Sequence, residues 1–113
     1  MADAQLVTDA RAATAGEPQR DALDLPAVLH ALSDPVRLQI ITRLSDGSEH
    51  SCGSLDLPVT KSTCTHHFRV LREAGLIHTR QEGTSRLNSL RNEDLEARFP
   101  GLLDTVLRAA ELG

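Results

Sequence analysis

The stretch from Thr60 to Leu90 constrains this chain most, because a strong helical period stops there and gives way at once to an alternating one. Cys64, Phe68, Leu71 and Ala74 recur at spacings of three and four, the mark of a helix with one apolar face. Thr60 stands where its hydroxyl can cap the first turn, and Gly75 stands where a helix ends in a left-handed residue. Leu76 to Gln81 and Ser85 to Leu90 then read as two short strands around Glu82, Gly83 and Thr84, a hairpin with glycine at its bend.

The segments on either side are helical. Leu25, Val28, Leu29 and Leu32 fall at i, i+3, i+4 and i+7, one stripe of a helix ending near Leu32. Ser33, Asp34 and Pro35 supply a cap and a first-turn proline for the next helix, which carries Leu38, Ile41 and Leu44 inward and ends near Asp46 and Gly47. Leu55 and Leu57 mark a short third helix ended by Pro58. Leu95, Phe99, Leu102, Val106 and Ala110 trace the last, which Pro100 should kink or restart. The expected fold is mainly α with a small β-hairpin, in the order α-α-α-α-β-β-α. Residues 1–20, with few large apolar groups, are expected to form a flexible arm, and residues 21–113 a single domain. Two helices joined by a tight turn and followed by a basic hairpin is the order of a winged helix-turn-helix. In that fold the second helix of the pair enters the major groove of double-stranded DNA.

A net charge of −4 argues against nucleic acid until its distribution is followed. Residues 1–60 and 92–113 are both acidic, whereas residues 61–91 hold Lys61, Arg69, Arg72, Arg80, Arg86 and Arg91 against only Glu73 and Glu82. The basic charge thus coincides with the helix and hairpin, and a basic patch on an acidic body can still engage phosphate. If Cys64, Phe68 and Leu71 face the core, then Lys61, Ser62, Thr63, Thr65, His66 and Arg69 lie on or beside the opposite face. Hydroxyls, an imidazole and long cations are the groups that reach phosphates and base edges. Arg80, Thr84, Ser85 and Arg86 belong to the hairpin, where arginine can enter a minor groove or hold phosphate.

Apolar runs are too short to span a membrane, and the amino terminus lacks a basic patch followed by an apolar stretch, so a cytoplasmic location is expected. Cys52 and Cys64 would there be free thiols or metal ligands. An enzyme is not expected: there is no glycine-rich phosphate loop, no paired histidines on a helix face, and no Tyr or Trp to line a pocket, and no catalytic residue is assigned.

The run Ala31-Leu32-Ser33-Asp34-Pro35-Val36-Arg37-Leu38-Gln39-Ile40, followed by Asp46-Gly47, resembles the opening signature of the ArsR/SmtB family of bacterial metal- and stress-responsive repressors. Residues Ser62 to Ile77 look like that family's recognition helix and the approach to its wing, and the resemblance covers about Leu25 to Leu112. It implies a homodimer packed through the first and last helices, binding a palindromic operator and usually repressing. The paired surfaces would include Leu25, Val28, Leu29, Leu102, Leu103, Val106 and Ala110, unless these stripes serve only the monomer core.

The sensor is less legible. Relatives that hold zinc, cobalt or nickel between their last helices use Asp, His and Glu, yet residues 92–113 contain no His or Cys. Relatives that hold arsenic or cadmium use a Cys-x-Cys pair, where this chain has a single thiol, Cys52. What remains is His50 and Cys52, two apart, a spacing able to fold around nickel or zinc with His30 or an amino-terminal carboxylate completing the site. Cys64, on the core stripe, reads as a small buried hydrophobe, and Cys52 as the more reactive thiol. A Cys52–Cys64 disulfide switch is a further hypothesis, as are a sensing partner protein and a winged helix that binds protein instead of DNA.

Overall fold

The computed structural model describes residues 16–112. Helices α1 (Leu25–Leu32) and α2 (Pro35–Leu44) each begin on an aspartate followed by an early proline. Asp24 accepts from the Ala27 amide at 3.0 Å, and Asp34 from those of Val36 and Arg37 at 2.9 and 3.1 Å. These bonds satisfy amides that the first helical turn leaves orphaned. Helix α3 (Lys61–Ala74) starts on Thr60, whose hydroxyl accepts from the Thr63 amide at 3.3 Å. It ends at Gly75, in the left-handed region at φ 90°. A Cβ there would strike Leu23 and lie 2.9 Å from Pro18, so glycine is required for space as well as for conformation.

Strands β1 (Ile77–Glu82) and β2 (Ser85–Leu90) pair antiparallel, from Ile77 with Leu90 to Glu82 with Ser85. Only Gly83 and Thr84 turn the chain between them, with Gly83 at φ 63°. His50 adds a bridge outside these strands: its amide and carbonyl exchange bonds of 3.0 and 2.9 Å with Asn88. Helices α4 (Asn92–Arg98) and α5 (Leu102–Leu112) close the described chain.

The core lies where the inner faces of α1, α2 and α3 meet the base of the hairpin. Leu23, Val28, Ile40, Ile41, Leu44, Leu55, Leu71, Leu76 and Ile77 are its largest fully buried members. Among the described residues four polar side chains are also buried, namely Arg37, His67, Thr79 and Asn88. Thr79 donates to Asn88 at 2.7 Å, and Asn88 donates onward to the His50 carbonyl at 3.0 Å. No described buried side-chain nitrogen or oxygen lacks a partner, as a close-packed interior demands.

Four details refine the expectations drawn from the sequence. The third helix is a single 3-10 turn at Gly53–Leu55, followed by Asp56 in a left-handed conformation and then Pro58, which together stop it from lengthening. The last helix restarts, one of the two outcomes expected at Pro100: Pro100 and Gly101 separate α4 from α5, with Gly101 at φ 80°. Most of the expected arm lies outside the described residues, but its end at residues 16–20 is fastened to the domain. The Glu17 carboxylate accepts from the Thr79 amide and pairs with His78, both at 2.9 Å, and the Pro18 carbonyl accepts from Arg91 at 2.8 Å. Finally, Cys64 is buried as expected but is not a lone hydrophobe: it forms a disulfide with Cys52, the Cα atoms 6.5 Å apart, so neither is a free thiol here.

Candidate nucleic-acid interface

Helix α3 has two faces with opposite duties. Inward, Cys64, His67, Phe68, Leu71 and Ala74 are buried. Outward, Lys61, Ser62, Thr63, Thr65, His66 and Arg69 are all exposed. The outer groups are partly ordered before any ligand arrives. Thr65 donates its hydroxyl to the Lys61 carbonyl at 3.0 Å, and Arg69 Nη2 lies 3.2 Å from His66 Nδ1. Thr63 instead serves the helix start, its hydroxyl 3.0 Å from that of Thr60.

What holds the helix at its angle is the buried polar joint behind it. Arg37, only 8% exposed, donates from Nε to the Ala31 carbonyl at 2.7 Å, and its Nη1 lies 3.2 Å from His67 Nδ1. Burial, reinforced by the charges of Arg37 and His66 and opposed by Asp34, holds the His67 imidazole below the usual histidine range. A neutral ring can accept from the guanidinium, so Arg37 binds the end of α1 to the middle of α3.

Between α3 and the hairpin runs a groove of about 490 Å³ whose walls include Lys61, Arg69, Arg72 and Arg86. Thr84, Ser85 and Arg86 are exposed on the hairpin beside it. Burial, and then repulsion from Arg86, pull Arg72 below the ordinary arginine value. The carboxylates of Glu73 and Glu17 act in the opposite sense. Arg72 was counted in the basic stretch but not among the DNA contacts expected from sequence, although it lies three positions beyond Arg69, next on the same face of the helix. Arg80 is placed differently from the expectation. Its guanidinium makes two bonds to Glu49, of 2.7 and 2.8 Å, and one of 2.8 Å to Glu82. Hydrogen bonding to Arg80 holds the Glu49 carboxyl below its usual range. Arg80 therefore braces the hairpin against the loop before the 3-10 turn.

The order of helices and hairpin is shared with known proteins. Residues 32–80 match a family model described as a helix-turn-helix domain. An uncharacterized HTH-type transcriptional regulator of Bacillus subtilis is 40% identical over 82 residues, spanning 70% of this chain and 82% of its own. The arsenical resistance operon repressor of Staphylococcus xylosus is 34% identical over 74 residues, spanning 65% of this chain and 71% of its own. This chain belongs to the ArsR/SmtB family of winged helix-turn-helix regulators. Among solved structures, a homodimeric winged helix-turn-helix DNA-binding domain from Mycobacterium bovis superposes with a TM-score of 0.62 at 29% identity, covering 83% of this chain and 90% of that one. The ArsR/SmtB chain is thus a transcriptional regulator with a DNA-binding fold, and its relatives are regulators rather than enzymes. No described helix is long and apolar enough to cross a membrane.

The metal ligands expected of this ArsR/SmtB chain are not brought together. Among the described residues no three His, Cys, Asp or Glu side chains converge on a point that could hold an ion. The Cys52 sulfur is bonded to Cys64, and both ring nitrogens of His50 face serine hydroxyls, Ser48 at 2.9 Å and Ser54 at 3.3 Å. His30 lies in the last turn of α1, a separate element from the His50 loop. Among the described residues the donor set does not fit nickel or zinc, which need several convergent ligands, and the carboxylates of residues 1–15 lie outside the described residues.

The expected dimer residues of the ArsR/SmtB chain divide into two groups. Val28 and Leu103 are buried within the chain's own core, because each apolar stripe is wider than its outward face. Leu25 and Leu29 remain 42% and 45% exposed, Ala110 is exposed, and Leu102 and Val106 are half-buried. Leu29, Leu32, Leu38, Val106 and Ala110 line an apolar groove of about 770 Å³ between α1, α2 and α5.

Proposed function

We propose that this chain is a sequence-specific, DNA-binding repressor that grips a palindromic operator as a homodimer in the cytoplasm. The observation that carries this reading is the placement of Lys61, Arg69, Arg72 and Arg86 around one groove of an otherwise acidic molecule. In it Ser62, Thr65, His66 and Arg69 of α3 meet base edges and phosphates in the major groove, and Thr84, Ser85 and Arg86 hold the flanking backbone. Lys61 adds a phosphate contact, while Thr63 and Arg80 work indirectly, through the helix cap and the hairpin brace.

The second copy covers the groove between α1 and α5. Leu25 and Leu29 are large apolar side chains left in water by the single chain, and the Mycobacterium bovis neighbour is itself homodimeric. Two-fold pairing sets the two reading helices one turn of DNA apart. As for the signal, a metal-independent sensor working through thiols is favoured over nickel or zinc by the pairing of Cys52 with Cys64.

The test is fluorescence anisotropy of labelled DNA from the region upstream of the chain's own gene, competed by a scrambled duplex of equal length. Saturation at two chains per site, surviving excess scrambled competitor, is the expected result. Equal displacement by both duplexes would remove the claim of sequence specificity.

A further inference from the structure

The disulfide does not sit in a remote part of the fold. Cys64 is the fourth residue of the reading helix, 4% exposed on its inner face. Cys52 immediately precedes the 3-10 turn that stands in for the first helix of the helix-turn-helix pair. That turn has three residues, and Leu55 is the only fully buried anchor between Cys52 and Thr60, with Leu57 and Val59 half-buried. The segment leading into the reading helix thus has little regular structure, and the Cys52–Cys64 bond spans it. A small molecule can reach it. Cys52 lines the groove that holds Lys61, Arg69, Arg72 and Arg86, and both cysteines line a second cleft with Leu57, Val59 and Lys61. Cations beside a cysteine favour its thiolate, the form that reacts with oxidants.

We propose that Cys52 and Cys64 form a reversible dithiol–disulfide switch on the reading head, and that the disulfide is the form that binds DNA tightly. The oxidant is a hydroperoxide. The Cys52 thiolate attacks the peroxide, forming an S–O bond as the O–O bond breaks, and the departing oxygen leaves as alcohol or water after taking a proton. The Cys64 thiol then attacks the sulfenic sulfur; an S–S bond forms, the S–O bond breaks, and hydroxide leaves as water with the Cys64 proton. Two thiols lose two electrons to one hydroperoxide. A dithiol reductant reverses the change through a mixed disulfide. In the disulfide form the outer face of α3 is fully exposed and the Thr60 cap is made, so the head is preorganised. Reduction releases the segment between Cys52 and Thr60, and DNA binding must then order it at the expense of affinity.

This switch rests on the DNA-binding reading above, and one experiment separates the two. The full chain, oxidised with hydrogen peroxide or reduced with dithiothreitol, is titrated into the labelled upstream duplex, while alkylation and peptide mass spectrometry report the state of each cysteine. The expected result is a Cys52–Cys64 cross-link formed by peroxide and reversed by dithiothreitol, with the oxidised form binding at least about fivefold more tightly. Cys52→Ser and Cys64→Ala proteins should bind like the reduced form under both conditions. Equal affinities of cross-linked and reduced protein overturn the switch and leave the DNA reading standing, as does full alkylation of both cysteines after peroxide. Absence of specific binding in either state overturns the DNA reading and the switch with it.

Discussion

Replacing Arg37 with alanine should cost this domain far more than its place on one short helix implies. The guanidinium caps the end of α1 through the 2.7 Å bond to the Ala31 carbonyl, and reaches the His30 carbonyl at 3.4 Å and His67 at 3.2 Å. A hydrogen bond from a charged donor contributes about 1.5–3 kcal/mol, and its loss leaves the carbonyl of fully buried Ala31 without that partner. The 3.4 Å contact is too long to add much. The void left by the buried stem brings the total to roughly 2–4 kcal/mol, a large part of the ~5–15 kcal/mol that stabilises a typical domain. At about 4–8 °C per kcal/mol for a domain this small, Tm should fall by roughly 10–30 °C. The assay is circular dichroism on heating at neutral pH, with Arg37→Lys as companion; one ammonium can serve one carbonyl, so it should recover only part of the loss. A fall of less than about 3 °C for Arg37→Ala would refute the reasoning, because Arg37 would then not be the joint between α1 and α3.

Three further outcomes are expected. Gly75→Ala forces a side chain into a left-handed residue and against Leu23, and urea unfolding should show a loss of at least about 2 kcal/mol; a neutral result would mean that Pro18 and Leu23 pack elsewhere. Because burial holds His67 below the usual histidine value, the unfolded chain takes up that proton first. Stability should therefore fall as pH drops from about 6.5 towards the lower folded value, and His67→Gln should flatten that part of the curve. Leu29→Glu places a charge on the apolar groove between α1 and α5, and sedimentation should show a folded monomer; a persistent dimer would move the interface elsewhere.

Helix starts and stops were legible because capping is local chemistry: Asp34, Thr60 and Gly75 act on amides or carbonyls within a few residues of themselves. The face of α3 was legible for the same reason, since periodicity tells which residues turn inward. It cannot tell what they meet. Cys64 sat correctly on the inner stripe, but its bond to a residue twelve positions earlier depends on how the intervening turn folds. Arg80 looked like a DNA contact until Glu49, thirty-one positions away, was brought against it by the bridge of His50 to β2. The third helix was legible in place, from Leu55 and Pro58, but not in kind, because a three-residue 3-10 turn is too short to show a period. Val28 and Leu103 were overassigned to the dimer because an apolar stripe does not show where a chain's own core ends.

The central claim is that the groove between α3 and the hairpin binds DNA by charge and reads it with the outer face of α3. The most direct test is the affinity of wild-type, Arg69→Ala and Arg86→Ala proteins for the upstream duplex across a salt series. The account predicts steep weakening of wild-type binding with salt and a shallower slope for each variant, by about one released counterion apiece. Binding that ignores both salt and the two substitutions would contradict it.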